Sequence, residues 1–260
     1  MSRCLVTGHM GYIGSRLCEK LKNEGHEVLG IDLKDPDSGD VIEELAELDG
    51  KFLQKYEDFK PEYIFHLACK PRVAYSVIDP VGTMHNNVMA TSVLLNYAHK
   101  IGAKRLIYSD SSSVVGDGSG PNSPYGLQKL VSELECQLYS KLYNLDTVCL
   151  RYFNVYSPCQ AADDVYATAI CNWMQFIRDN KNPYITGSGE QRRDMVHVRD
   201  VISANIFCME ASNNFNGSVH DIGTGSNISL NEVRDIIEEY FPDVVFEYIE
   251  ERVGDVMHTK

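Results

Sequence analysis

Tyr125 and Lys129 are four residues apart, a spacing that puts both on one face of a helix. A free tyrosine ionises near pH 10, so a phenol that works as a base at neutral pH needs its pKa lowered, and an ammonium on the same helix face does this. Ser111 lies fourteen positions ahead of Tyr125, just past the apolar run Leu106-Ile107-Tyr108-Ser109. Ligands collect beyond the carboxyl ends of the strands in an open parallel sheet. There the Ser111 hydroxyl can accept and donate in one relay between an alcohol and the phenol. Tyr-x-x-x-Lys alone is common on surface helices; the serine run ahead of it gives the pair meaning.

A second constellation opens the chain. The run Arg3-Cys4-Leu5-Val6-Thr7 leads into Gly8-His9-Met10-Gly11-Tyr12-Ile13-Gly14 and then a helical pattern. Glycines at 8, 11 and 14 permit a tight turn, a close backbone approach to a pyrophosphate, and close helix–strand packing, while the helix N-terminus turns its N–H groups toward the anion. Asp32, eighteen residues beyond Gly14, ends the second apolar run. A carboxylate at that point accepts from adenosine ribose hydroxyls and repels a 2′-phosphate, which favours NAD over NADP. The positive nicotinamide ring of such a cofactor would help Lys129 acidify Tyr125.

The elements that must position these residues alternate from the start. Strand-like runs fall at 3–7, 27–31, 63–67, 104–109 and 147–152, with helical patterns near 12–24, 82–100 and 124–143. Such alternation implies right-handed crossovers and a parallel sheet covered on both faces. Past Asn154 the rhythm changes: helices near 165–180, 199–211 and 229–240, and short strands near 183–186, 218–222 and 244–248. The expected fold class is α/β, a Rossmann-type doubly wound parallel sheet with a small interleaved C-terminal substrate domain. Residues 1–155, with 194–222 returning to them, form the dinucleotide-binding part; 156–193 and 223–260 form the smaller one.

Lys plus Arg number 24 against 37 Asp plus Glu, a net charge of −13. No broad positive field exists for nucleic acid or an anionic membrane face. No run approaches the ~20 apolar residues of a membrane span and no signal-type leader opens the sequence, so a cytoplasmic protein is expected. The eight Cys form no Cys-x-x-Cys pair and sit mostly in apolar segments, which reads as reduced, buried thiols. Cys and His are too scattered for a metal site.

Taken in order, these motifs resemble the extended short-chain dehydrogenase/reductase superfamily, and within it the nucleotide-sugar epimerases, closest to UDP-glucose/UDP-GlcNAc 4-epimerases. The matching pieces are Thr7-Gly8-x-x-Gly11-x-Ile13-Gly14, Asp32, His66-Leu67-Ala68, Asn87-Val88, Ser109-x-Ser111 and Pro124-Tyr125-Gly126-x-x-Lys129. After these come Leu150-Arg151-Tyr152-Phe153-Asn154-Val155-Tyr156, Gly187-x-Gly189-x-Gln191-x-Arg193-Asp194 and Arg252-x-Gly254-Asp255. The resemblance implies that Tyr125, Lys129 and Ser111 are catalytic. It implies that Gly8, Gly11, Tyr12, Ile13, Gly14 and Asp32 hold the ADP half of NAD. Leu67, Ala68, Lys70, Asn87, Ser109 and Tyr152, with Tyr125 and Lys129, would line the rest of the cofactor site. Asn154, Tyr166, Arg193, Arg252 and Asp255 would hold the nucleoside diphosphate of the substrate, two Arg serving as a local fork on an acidic protein.

Ser112, Ser113, Val114 and Val115 follow Ser111, so the resemblance offers no acid where the family's dehydratases and decarboxylases carry one. Epimerisation at C4 through a 4-keto sugar needs none. Thr259 falls at the family's gate position, and its small side chain resembles members that admit an N-acetyl group. The chain departs from the family by ending soon after Arg252-x-Gly254-Asp255, which leaves the sugar site open or completed by a neighbouring subunit. It also departs by Val115, Gln128 and Cys159, and by Asp110 where Ser is usual, a carboxylate able to alter both redox poise and the Tyr125 pKa. The alternatives are another nucleotide-sugar oxidoreductase or dehydratase, or a non-catalytic NAD-binding module. Apolar faces such as Val93-Leu94-Tyr97 and Leu130-Leu134-Leu138, on the helices near 82–100 and 124–143, lead to the expectation of a homodimer.

Overall fold

A computed structural model describes residues 1–32, 58–157 and 168–250. The elements in chain order begin with β1 (Arg3–Thr7), α1 (Tyr12–Asn23), β2 (Glu27–Ile31), β3 (Tyr63–His66), α2 (Val73–Ile78) and α3 (Pro80–Met84). A π-helical turn (His85–Met89) then leads into α4 (Ala90–Ile101), followed by β4 (Arg105–Ser111), α5 (Pro124–Tyr143), β5 (Thr147–Tyr152) and β6 (Asn154–Tyr156). The rest are α6 (Ala169–Arg178), β7 (Tyr184–Thr186), β8 (Arg192–Arg193), β9 (Met195–His197), α7 (Val198–Glu210), β10 (Ser218–Ile222), β11 (Ile228–Ser229), α8 (Leu230–Tyr240) and β12 (Glu247–Ile249).

Six strands form one sheet in the order β10-β5-β4-β3-β1-β2, every neighbouring pair parallel. The strands are apolar on both faces, as a sheet covered on both sides requires. On one face Leu5, Ile64, Leu106, Tyr108 and Cys149 pack against Leu94, Leu95 and Cys136 of α4 and α5. On the other, Cys4, Val6, Phe65, Ile107, Val148 and Leu150 meet Leu17 and Leu21 of α1 and Val201 and Ile206 of α7. The expected doubly wound sheet is therefore formed.

A third apolar cluster stands apart: Trp173 of α6, Ile185 of β7, Leu230, Val233 and Ile237 of α8, and Phe246. Trp173 stacks edge-on against Phe246, ring centroids 5.0 Å apart, and its indole N–H donates to the Tyr184 carbonyl at 2.7 Å. The Ser229–Glu232 capping box starts α8. Asp194 fastens this region to the sheet: its carboxylate accepts from the Thr224 and Gly225 N–H groups at 2.8–2.9 Å.

Several elements differ from the sequence reading. The helix expected over 82–100 is broken by the π turn, which carries Asn87 inward. α2 was not expected; in six residues it buries only Ser76, so it has no apolar period to read. The face Val93-Leu94-Tyr97 is not an outer face: Leu94 and Tyr97 are core residues with Val93 packed against them. The other face does remain outside, with Leu134 and Leu138 about half exposed at 53% and 48%. Tyr166, Arg252, Asp255 and Thr259, together with Cys159, lie outside the described residues.

Candidate active site

The glycine loop turns where β1 meets α1. Gly8 has φ +71°, and a Cβ there would lie 2.8 Å from the Ala68 backbone nitrogen. Gly8 thus lets the loop rest on Leu67 and Ala68, the segment expected beside the cofactor. A Cβ on Gly14 would sit 2.1 Å from the Gly8 carbonyl oxygen, so the third glycine packs helix against loop rather than against strand. Gly11 caps α1 with no side-chain bond to the first-turn amides. Tyr12, Ile13 and Gly14 form that first turn, an anion-binding helix end. Asp32 stands at the loop's far side and its Oδ2 accepts the Met10 N–H at 3.0 Å. This cradle, with glycine at each point where a Cβ would collide, fits a dinucleotide diphosphate and an adenosine ribose.

Beneath the loop runs a buried relay. The Ala68 N–H donates to Thr7 Oγ1 at 3.2 Å, Thr7 lies 2.7 Å from His66 Nδ1, and His66 Nε2 lies 3.0 Å from Thr91 Oγ1. Thr91 donates to the Asn87 carbonyl at 2.7 Å. With Thr91 spent as a donor, His66 must be neutral with its proton on Nε2 and Nδ1 accepting from Thr7. Burial, aided by the charge of Lys129, pushes its pKa down to about 3.

Asn87 is a brace. Its Oδ1 accepts the Lys70 N–H at 2.7 Å, and its Nδ2 donates to the Lys70 carbonyl at 3.3 Å and to Gln128 Oε1 at 2.8 Å. Gln128, one of the departures from the family pattern, then donates to Thr83 Oγ1 at 2.9 Å. Both amides are buried. Asn87 therefore holds the Lys70 segment in place with its own amide already committed.

Tyr125 and Lys129 occupy the first turns of α5, which starts at Ser123, whose Oγ accepts the Gly126 N–H at 3.1 Å, with Pro124 at the first helical position. Ser111 ends β4, and its hydroxyl is near enough to the buried Tyr125 phenol to oppose the rise in the phenol's pKa. Ser111 Oγ also receives Ser113 Oγ at 2.9 Å and the Ser113 N–H at 3.2 Å. The sequence-expected trio is thus brought together. Lys129 donates to the Ser109 carbonyl at 2.6 Å, and its Nζ stands 4.7 Å from the Tyr108 ring centroid and 5.9 Å from that of Tyr125. Ser109 Oγ donates to the His66 carbonyl at 2.8 Å. The Tyr152 hydroxyl accepts from Asn205 Nδ2 at 2.7 Å.

The expected acidification of Tyr125 is not present in the protein alone. Burial drives its pKa well above 10, with Cys69 and Asp110 adding to the rise and the Ser111 hydroxyl opposing it. With its ammonium anchored on the Ser109 carbonyl, Lys129 does not offset that burial. Asp110 is turned beneath α5, where Arg151 Nε donates to its Oδ2 at 3.2 Å.

A cleft of about 220 Å³ lies between the third cluster and the short strands β6, β8 and β9. Asn154 and Arg193, both expected at the substrate, line it. Gln191, part of the motif that carries Arg193, lines it too, as do Asn172, Trp173, Phe176, Tyr184 and Thr186; these five had not been singled out, because helix-face aromatics such as Trp173 and Phe176 read as core. Asn154 Nδ2 donates to the Asp194 carbonyl at 3.0 Å, and Arg193 Nη1 to the Arg192 carbonyl at 2.9 Å. The walls suit a planar, partly apolar ligand, and Arg193 suits an anionic one.

Comparison with known proteins agrees with this arrangement. The family model described as the NAD dependent epimerase/dehydratase family matches residues 4–223. The UDP-glucose 4-epimerase of Mycolicibacterium smegmatis is 30% identical over 282 residues, spanning 99% of this chain and 89% of its own. The structure of the UDP-N-acetylglucosamine 4-epimerase of Methanobrevibacter ruminantium, in complex with UDP-N-acetylmuramic acid, superimposes with a TM-score of 0.87 at 31% identity, covering 99% and 88% of the two chains. The UDP-glucuronic acid 4-epimerase of Bacillus cereus, in complex with UDP-glucuronic acid and NAD, gives 0.83 at 29%, covering 99% and 89%.

Proposed function

The chain belongs to the NAD dependent epimerase/dehydratase family, and from that membership we propose that it inverts C4 of a UDP-hexose through a 4-keto intermediate. The observation that carries the proposal is the meeting of Ser111, at the carboxyl end of β4, with the buried Tyr125 and Lys129 of α5, Lys129 Nζ standing 5.9 Å from the Tyr125 ring centroid and the glycine cradle on the same rim of the sheet. Tyr125 takes the proton of the C4 hydroxyl, directly or through Ser111, and returns it after the keto sugar has turned over. Lys129 favours the phenolate and orients the site by its bond to the Ser109 carbonyl. The NAD cofactor, when bound, supplies reversible hydride exchange with C4.

Gly8, Gly11, Tyr12, Ile13, Gly14 and Asp32 would hold its adenosine diphosphate half, and Leu67, Ala68, Lys70, Ser109 and Tyr152 would line the remainder. Asn154 and Arg193 would hold the uridine diphosphate in the cleft, with Tyr166, Arg252 and Asp255 assigned there on the sequence resemblance alone. Residues 156–193 and 223–260 would make up the substrate domain. A homodimer would form through the exposed stripe Leu127, Leu134, Leu138 and Leu142 of α5.

C4 inversion is favoured over dehydration because no carboxyl follows Ser111. The turn there is built from Ser112, Ser113 and Val114, and the Asp110 carboxyl is committed to Arg151. The test is proton NMR of the anomeric signals with UDP-Glc and UDP-GlcNAc offered separately and NAD supplied. The galacto epimer should appear without NADH build-up, on both sugars if Thr259 leaves room for an N-acetyl group. NADH accumulation without an epimer would point instead to net oxidation, and turnover of UDP-Glc alone would remove the N-acetyl assignment.

A further inference from the structure

Arg151 of β5 faces two carboxyl groups. Glu133 of α5 takes the larger share of the guanidinium, its Oε2 accepting from Nε at 2.9 Å and Nη2 at 2.7 Å. Asp110 of β4 accepts from Nε through Oδ2 at 3.2 Å, while its Oδ1, fully buried, has no donor. Asp110 is 2% exposed and Glu133 4%. Both carboxyl groups draw on the same guanidinium, and Oδ1 of Asp110 is left unsatisfied in the interior, which is costly. The exposed Asp221 of β10, 3.9 Å from Arg151 Nη1, offers it no donor.

The other titratable neighbours give Oδ1 no donor either. The Lys129 ammonium of α5 lies within electrostatic range and draws the Asp110 pKa down, but it donates to the Ser109 carbonyl. Tyr108 of β4 is held neutral by burial and by Asp110, and burial likewise keeps Tyr125 in its phenol form. Cys149 of β5, a free cysteine, is held as a thiol by the neighbouring Cys136 of α5 and by burial. A proton placed between Asp110 and Glu133 relieves the repulsion of two carboxylates on one guanidinium and gives Oδ1 its missing hydrogen bond.

We propose that Asp110 and Glu133 hold one proton between them, and that this proton keeps the ground behind Tyr125 and Lys129 neutral, making Asp110 a positioning residue that acts through the phenol. Its catalytic consequence rests on Tyr125 being the base of the proposed C4 inversion; the shared proton does not. Burial and the nearness of the Glu133 carboxyl push Asp110 up to about 8 against the opposing pull of Lys129. Once the pair loses its proton, the new negative charge opposes phenolate formation. Asp110→Asn cannot gain that charge, and its amide can donate to Glu133 while its oxygen still faces Arg151.

The test is carbon-13 NMR of the full chain with NAD added, labelled at the Asp and Glu carboxyls and at tyrosine Cζ. A carboxyl signal missing in D110N should titrate near pH 8 in the wild type, and Tyr125 should ionise about one pH unit lower in D110N. In E133Q, whose amide can donate to Oδ1, the Asp110 signal should fall back toward the ordinary range of about 4. Titration of wild-type Asp110 near 4, or superimposable Tyr125 curves in wild type and D110N, would overturn the proposal. The carboxyl titration decides it even if no UDP-sugar is turned over, so its failure and that of the C4 assignment are separable.

Discussion

Ser76 Oγ accepts the backbone N–H of Tyr125 at 3.0 Å. The same hydroxyl donates to the Val73 carbonyl at 2.7 Å, so the short helix α2 is tied to the first turn of α5, where that N–H has no intrahelical partner. Ser76 is fully buried. Ser76→Ala leaves the Tyr125 donor unsatisfied and should cost about 1–3 kcal/mol. The turnover number should fall more than the Michaelis constant rises, because the phenol loses its seat while the substrate cleft does not. Steady-state kinetics beside thermal unfolding check both parts.

Tyr125→Phe removes the buried phenol oxygen beside Ser111. Epimerisation should fall by about 10²–10⁴-fold, the usual worth of one positioned acid–base group. NAD should still bind, since no contact of the glycine cradle involves the phenol. Anomeric NMR and calorimetric NAD titration read the two effects apart.

Gly8→Ala should abolish NAD binding. The substitution demands a positive φ of +71° and places a Cβ 2.8 Å from the Ala68 nitrogen, backbone against backbone with no side chain able to yield. The loop must move off the Leu67-Ala68 segment. Titration with NAD should show no saturable binding while circular dichroism still reports a folded sheet.

His66 gives stability a pH dependence of definite sign. It is buried neutral, with its pKa lowered to about 3, while an unfolded chain ionises it near 6.5. Its contribution is complete above about 6.5, falls as pH drops toward 3, and levels below that, because the unfolded state binds the extra proton in this window. Denaturant unfolding of wild type and His66→Gln from pH 7 to pH 4 should show the wild type losing stability faster. Parallel curves would contradict it.

Arg105 and Asp146 form a buried pair at 2.5 Å. Arg105 also donates to the Ala211 and Asn213 carbonyls at 3.2 and 2.8 Å, and Asp146 accepts the Phe215 and Asn216 N–H groups at 2.8 and 2.9 Å. Together they hold the end of α7 and the entry to β10 against β4 and β5. Asp146→Ala should cost about 3–5 kcal/mol, since it strands a buried guanidinium. Thermal unfolding measures this, and activity per folded molecule should be unchanged.

Much of the protein was legible in the sequence wherever a local rule sufficed. Strand alternation with amphipathic helices determined the doubly wound sheet, since a run such as Leu5-Val6 can only be buried on both faces. Glycine spacing and Asp32 determined the nucleotide cradle, because the backbone there admits no Cβ. The i, i+4 rule determined that Tyr125 and Lys129 share a helix face. What only the tertiary structure decided depends on groups far apart in the chain: the Ser76–Tyr125 tie over 49 residues, and the commitment of Asn87 to Lys70 and Gln128. The cleft walls Trp173 and Tyr184 and the Asp110–Glu133–Arg151 cluster are of the same kind. Burial also reversed one expectation, raising the Tyr125 pKa that the charge of Lys129 was expected to lower. Spacing along a helix tells which residues are neighbours, but desolvation is set by everything packed around them, and that is written nowhere in the local sequence.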